Sequence, residues 1–162
     1  MMEAARPPFP PLPEAEDPEA PLKARRALDG YIRIVLEQFL TCHGFGEALP
    51  IPFEVARAAH EIWNREMEGP RPALQDFILE VVKPRKEYME RCIKTLRPDF
   101  TEDEIWLMTL SIHGQLLFLH KHLQLIKLMR GEGFGPESLD VLHRHFVDFS
   151  LRGLGLRVDP VS

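Results

Sequence analysis

Cysteine and serine are scarce in this chain of 162 residues, which contains two cysteines and four serines. Cys42 and Cys92 have no CxxC partner and no companion ligands nearby, so we expect buried, reduced thiols rather than a disulfide or a zinc site. None of the serines lies in a G-x-S-x-G nucleophile motif. HExxH motifs, glycine-rich phosphate loops and paired catalytic acids on one helical face are also missing. The sequence therefore predicts no catalytic residues, no enzyme activity and no cofactor.

Basic clusters are missing as well, since lysine and arginine are scattered along a chain whose net charge is -5. A protein that binds nucleic acid through its own surface usually carries a dense basic patch on one face. We therefore expect that this chain, as it stands, does not bind nucleic acid by itself.

Long apolar runs are missing too, because polar residues repeatedly interrupt the most apolar stretch, residues 105–129. The first residues are rich in proline and glutamate, whereas a signal peptide begins with basic residues followed by an apolar core. We therefore expect no membrane partner and a cytoplasmic location.

The seven histidines are the natural candidates for a metal site. His120 and His122 are two residues apart, as are His143 and His145, and on a helix this spacing directs the rings about 200° away from each other. A chelating pair on a helix needs a spacing of three or four. The sequence therefore predicts no metal site.

Proline and apolar periodicity divide the chain. Residues 1–21 hold seven of the fifteen prolines and several acids, which predicts an extended lead without a core of its own. Residues 22–156 form the predicted domain, and residues 157–162 form a tail. Within the domain, helical spacing of apolar residues indicates five helices, over residues 22–42, 52–68, 73–96, 101–130 and 136–153. No strand pattern appears, so the predicted fold class is an all-α bundle of about five helices.

The fourth of these helices, over residues 101–130, carries two apolar stripes on nearly opposite faces. Thr101 and Glu104 predict a capping box at its start. The first stripe contains Ile105, Met108, Ile112, Leu116, Leu119, Leu123 and Ile126, and the second contains Trp106, Leu107, Leu110, Gly114, Leu117, Phe118, Leu125 and Leu128. A small chain has few helices with which to cover both stripes, so we expect a second molecule on one of them. The alternative is a central helix covered wholly by its own chain.

Three segments resemble a known family. Residues 64–74, NREMEGPRPAL, and the helix that follows are similar to the "REM, then P-x-PAL" pattern of TetR-family transcriptional repressors with a CecR-type carboxy-terminal domain. Residues 110–118, LSIHGQLLF, resemble that subfamily's "LSIxGQxLF" segment, and residues 149–154, FSLRGL, resemble its closing helix. The resemblance extends over residues 22–154.

The resemblance implies a regulatory domain that senses a small apolar molecule and dimerises through its last two helices. The helix-turn-helix head that would bind operator DNA has no counterpart in these residues. The chain is therefore either the regulatory part of a repressor or a protein without such a head. Two other classes stay open, namely a free-standing helical adaptor that binds neither DNA nor ligand, and a helical enzyme or metal carrier.

The same resemblance, together with the apolar stripes, indicates site residues. For the homodimer interface these are Leu110, Gly114, Leu117, His120, Leu142, Phe146 and Phe149. For a pocket that binds an apolar, aromatic or drug-like effector they are Trp63, Met67, Phe77, Met89, Ile112 and Gln115, with Gln115 as the polar contact.

Overall fold

In a computed structural model of the chain, the described residues are 9–14, 16–40, 61–62, 65–66, 68–69, 71–131 and 136–158. These residues form five α-helices and no strand. The helices are α1 (Ala20–Leu40), α2 (Pro72–Leu96), α3 (Glu102–Lys121), α4 (Leu123–Arg130) and α5 (Leu139–Gly153), and a short 3-10 turn, Pro136–Ser138, leads into α5. The predicted all-α fold class is confirmed. The helix expected over residues 52–68 lies largely outside the described residues.

The stretch 101–130 is divided into two helices at His122. The backbone of His122 has φ -111° and ψ 19°, away from helical values, although its N–H still donates to the carbonyl of Phe118. The ring of His122 lies 4.7 Å from the ring of Phe118. Beyond this bend, Leu123 and Ile126 in α4 pack against the hydrophobic core. The single helix predicted over residues 101–130 is therefore replaced by the two helices α3 and α4.

The capping box predicted at the start of α3 is present. The Thr101 hydroxyl oxygen accepts a hydrogen bond from the Glu104 backbone N–H, and the Glu104 carboxylate accepts one from the Thr101 backbone N–H at 2.8 Å. These hydrogen bonds hold the pKa of Glu104 below its usual value. They also satisfy two N–H groups that a helix start otherwise leaves without partners.

The core is built around α1, which packs against α2, α3 and α5. Leu28, Tyr31, Ile32 and Leu36 lie on its buried face at spacings of three and four and are almost fully buried. Met89 and Ile93 of α2 complete the core from one side, and Leu151 and Leu154 complete it from the other.

Candidate functional site

Helix α3 has one buried and one exposed apolar face, as its two stripes predict. Ile112 and Leu116 of the first stripe expose only 2% and 1% of their surface. Leu110 and Phe118 of the second stripe expose 53% and 59%. The other helices of the chain therefore cover the first stripe and leave the second open to solvent.

The exposed apolar surface continues from α3 onto α4 and α5. We call it the exposed apolar face, and its residues are Trp106, Leu107, Leu110, Leu117, Phe118, Leu125, Leu128, Met129, Val141 and Phe149. These are ten of the thirteen large apolar side chains that are exposed in the described part of the chain. Exposed apolar groups that concentrate on neighbouring helices mark interaction surfaces, whereas scattered ones need no explanation.

An open groove of about 720 Å³ lies within this surface, between α3, α4 and α5. It is lined by Ser111, Gly114, Gln115, Phe118, Leu119, Ile126, Leu142, Phe146 and Phe149. The Ser111 hydroxyl donates to the Leu107 carbonyl, and the Gln115 amide donates to the Ser111 carbonyl, so both polar groups are bonded to their own helix. The groove is therefore largely apolar.

Gly114 widens this groove. A Cβ atom added there would have no neighbour within 4 Å. The glycine is therefore not required by packing inside the chain, and it leaves space in which another helix can approach closely.

The residues expected at a dimer interface all lie on or beside this surface. Leu110, Leu117 and Phe149 are exposed, and His120, Leu142 and Phe146 are partly exposed. Four of the seven line the groove together, namely Gly114, Leu142, Phe146 and Phe149.

The structure describes the side chains of three of the six residues expected in an effector pocket. Trp63 and Met67 lie outside the described residues, as does the side chain of Phe77. Met89 and Ile112 are buried in the core, with 0% and 2% of their surface exposed. Gln115 lines the groove, at the edge of the stripe that contains Ile112.

Sequence reasoning missed an aromatic and polar cluster between α1, α2 and α3. The Tyr31 hydroxyl lies 2.6 Å from Nε2 of His113, and Nδ1 of His113 lies 3.0 Å from the Thr109 carbonyl oxygen. A carbonyl only accepts, so Nδ1 carries the proton and Nε2 accepts from the tyrosine. The Tyr31 ring also stacks on that of Tyr88, with centroids 5.6 Å apart. A tyrosine on a buried stripe needs a polar partner, and that requirement was the available sequence signal.

Burial sets the charge states in this cluster. Desolvation lowers the pKa of His113 and raises the pKa values of Tyr31 and Tyr88. It also raises the pKa of the Cys92 thiol to about 12, so the thiol is neutral and unreactive. At neutral pH the cluster is therefore uncharged, apart from the Arg85 guanidinium beside it.

Acidification is expected to destabilise the fold through His113. Because its pKa is lowered in the folded state, the unfolded chain takes up a proton first as pH falls below about 6.5. The contribution of His113 to the free energy of unfolding should be fully present above that pH and should decrease below it. Protonation of Nε2 also removes the acceptor for the Tyr31 hydroxyl. Urea unfolding between about pH 5 and pH 7.5 measures this and leaves the carboxylates ionised.

The control is His113→Gln, which should lose the decrease between about pH 5 and pH 6.5 even if it is less stable at every pH. An unchanged decrease in the variant would show that another group titrates.

The described residues contain neither a metal-binding cluster nor a membrane-spanning helix. Within these ranges no group of three or more His, Cys, Asp or Glu side chains converges on a metal-sized site. No described helix is both long enough and apolar enough to cross a bilayer.

The buried and exposed faces of α3 and the closing helix α5 coincide with the segments that carried the family resemblance. Residues 54–154 match the family described as "HTH-type transcriptional dual regulator CecR, C-terminal domain". The chain belongs to the CecR C-terminal domain family. The match confirms a TetR-family, CecR-type carboxy-terminal domain and includes α2 to α5, while α1 lies before it. No curated protein and no solved structure matches the chain.

Proposed function

We propose that this CecR-type domain is the effector-sensing and homodimerising part of a TetR-family transcriptional regulator. In this proposal a small apolar molecule binds the domain and changes DNA binding by a helix-turn-helix head outside these residues, in the cytoplasm. The observation that carries the proposal is the exposed apolar face on α3, α4 and α5.

A second copy of the chain is the partner that fits this surface best. A two-fold dimer brings the same surface from both subunits together, so the apolar side chains of this surface would pack against those of the partner. Leu110 and Leu117 of α3 and Phe149 of α5 are exposed on the two helices that would pair with their symmetry mates. The open groove beside Gly114 offers space for a side chain of the partner.

Static light scattering over a dilution series tests the dimer. We expect twice the chain mass of 18.7 kDa to persist down to concentrations of about 1 μM or lower, because burying large apolar side chains at about 25 cal/mol per Å² supports stable association. A monomer over the whole series would contradict the proposal and favour the free-standing adaptor.

The effector part of the proposal has a separate test. A ligand that binds only the folded state raises the unfolding temperature by mass action. We expect a subset of apolar aromatic compounds to raise it and closely matched charged, non-aromatic compounds to leave it unchanged. A panel without any stabilising compound would contradict effector sensing and would leave dimerisation unaffected.

A further inference from the structure

Two residues of the proline-rich lead, Phe9 and Pro10, are docked against the helices. The Phe9 ring lies 4.6 Å from the Tyr31 ring and 5.1 Å from the Tyr88 ring, centroid to centroid. The Arg85 guanidinium lies over the same ring at 5.9 Å. The Tyr88 hydroxyl donates to the Pro10 carbonyl oxygen at 2.7 Å. We call the surface that receives these two residues the Phe9 site.

Gly30 of α1 is part of the Phe9 site. A Cβ atom built there would lie 2.7 Å from Cγ of Pro10, closer than such atoms approach each other. A glycine in the middle of a helix weakens it relative to alanine, so its presence usually has a local reason. Here the reason is the close approach of the Pro10 ring.

The chemistry of the Phe9 site recognises a ring and a nearby acceptor. The Tyr31 and Tyr88 rings contact the Phe9 ring at tilted angles of 48° and 40°, and a guanidinium adds a cation–π contact. The Tyr88 hydroxyl supplies one hydrogen-bond donor. The contacts to Phe9 and Pro10 are all made by an uncharged ring and a backbone carbonyl, so none of them requires a charged ligand. The occupant that fits is an uncharged molecule with one aromatic ring and one carbonyl group.

The Phe9 site is partly open to solvent. Phe9, Pro10 and Tyr88 are each partly exposed, whereas Tyr31 beneath them exposes only 1% of its surface. A small molecule that replaces Phe9 and Pro10 would therefore enter the site from solvent, and the helices would not have to separate.

We propose that the Phe9 site is the effector site of this domain, and that Phe9 and Pro10 are a built-in competitor for it. The effector class is an uncharged aromatic carbonyl compound. The inference rests on the proposed effector sensing and specifies where and how it occurs. A tethered segment has an effective concentration in the millimolar range, so even weak docking lowers the apparent affinity of a free ligand.

The test uses the full chain and a probe that reproduces both docked groups, 3-phenylpropanoyl-prolinamide. In the Phe9→Ser variant the competitor loses its ring contacts, so isothermal titration calorimetry should show the probe binding about tenfold or more tightly than to the unchanged chain. A folded Phe9→Ser protein that binds the probe no better than the unchanged chain overturns the proposal.

A second probe tests the hydrogen bond. 3-Phenylpropanoyl-pyrrolidine lacks the carboxamide group, and with it the carbonyl that takes the place of the Pro10 carbonyl, so it should bind Phe9→Ser about fivefold more weakly than the first probe. Adding Tyr88→Phe should remove the difference between the two probes, since only the hydroxyl is lost. A difference that survives in the Tyr88→Phe protein overturns the assignment of this hydroxyl.

Gly30→Ala tests the position of the proline ring. In the Phe9→Ser background it should abolish binding of the prolinamide probe, because the new Cβ occupies the place of Pro10. Alanine favours the helix, so circular dichroism should show no loss of helix. Undiminished binding in this protein overturns the location of the site.

Two further readouts keep the results interpretable. If circular dichroism shows that Phe9→Ser loses helix, Phe9→Leu keeps an apolar contact without the aromatic ring and provides the same comparison. Light scattering on each variant separates this inference from the proposed homodimer. A folded dimer that ignores the probe overturns the Phe9 site alone, whereas a monomer that binds the probe overturns only the dimer.

Discussion

Replacement of Leu117 with glutamate is expected to convert the proposed dimer into a monomer at micromolar concentration. Leu117 lies in the second stripe of α3 and exposes 43% of its surface in the single chain. The glutamate would be solvated in the monomer and would lose that solvation in the interface. An unpaired charge in an apolar interface costs several kcal/mol.

Symmetry enlarges the effect, because a two-fold interface contains the substitution twice. At about 1.4 kcal/mol per factor of ten, a loss of at least 3 kcal/mol corresponds to a rise of at least about 100-fold in the dimer dissociation constant. Light scattering and sedimentation velocity measure it.

The matched control is Leu79→Glu, which introduces the same charge at a leucine of α2 that exposes 56% of its surface outside the exposed apolar face. It should leave the mass unchanged. If both variants remain dimeric, the interface lies elsewhere; if both become monomeric, added charge rather than position is the cause.

Leu36→Ala is expected to lower the free energy of unfolding by about 3 kcal/mol, within the range of roughly 2 to 5 kcal/mol for a fully buried leucine. Leu36 lies on the buried face of α1 and exposes 0% of its surface. Two effects make up this loss. The removed methyl groups no longer contribute the free energy of burial away from water, and a cavity is left between α1 and the helices packed against it. Urea unfolding at fixed protein concentration measures it, since a dimer's stability depends on concentration.

Leu22→Ala is the control on the same helix, because Leu22 exposes 47% of its surface. It should change the free energy of unfolding by no more than about 0.5 kcal/mol. Equal and small losses at both positions would mean that α1 adds little to the core.

Periodicity predicted the parts of this fold that depend on local spacing. The two stripes of α3, with Leu116 buried and its neighbour Leu117 exposed, follow from a repeat of 3.6 residues. The capping box of Thr101 and Glu104 is a contact between residues three apart, so the sequence contains it directly.

Contacts between distant residues were not predictable in this way. Tyr31 and His113 are 82 positions apart, and no local spacing reveals that they share a hydrogen bond. The break at His122 leaves the apolar pattern uninterrupted, so the pattern could not show it. Phe9 is a single aromatic residue in a proline-rich lead, where no repeat indicates a buried face.

The effector-pocket residues remain a prediction, because size and apolarity alone do not identify a pocket. Met89 and Ile112 are large and apolar, which suits a cavity wall and a packed core equally well. Their burial places both in the core, whereas Gln115 is partly exposed and lines the groove, and only the three-dimensional arrangement shows this difference.

The position of α1 has a consequence for protein engineering. The family match begins at residue 54, yet α1 supplies nine of the twenty buried apolar residues described. A fragment cut at the family boundary would expose the surfaces of α2, α3 and α5 that α1 covers, and it would aggregate rather than fold as an autonomous unit. A chimera that joins this domain to a foreign DNA-binding module should therefore place the junction upstream of Ala20. The junction should lie upstream of Phe9 if the chimera is also to keep the proposed tethered competitor.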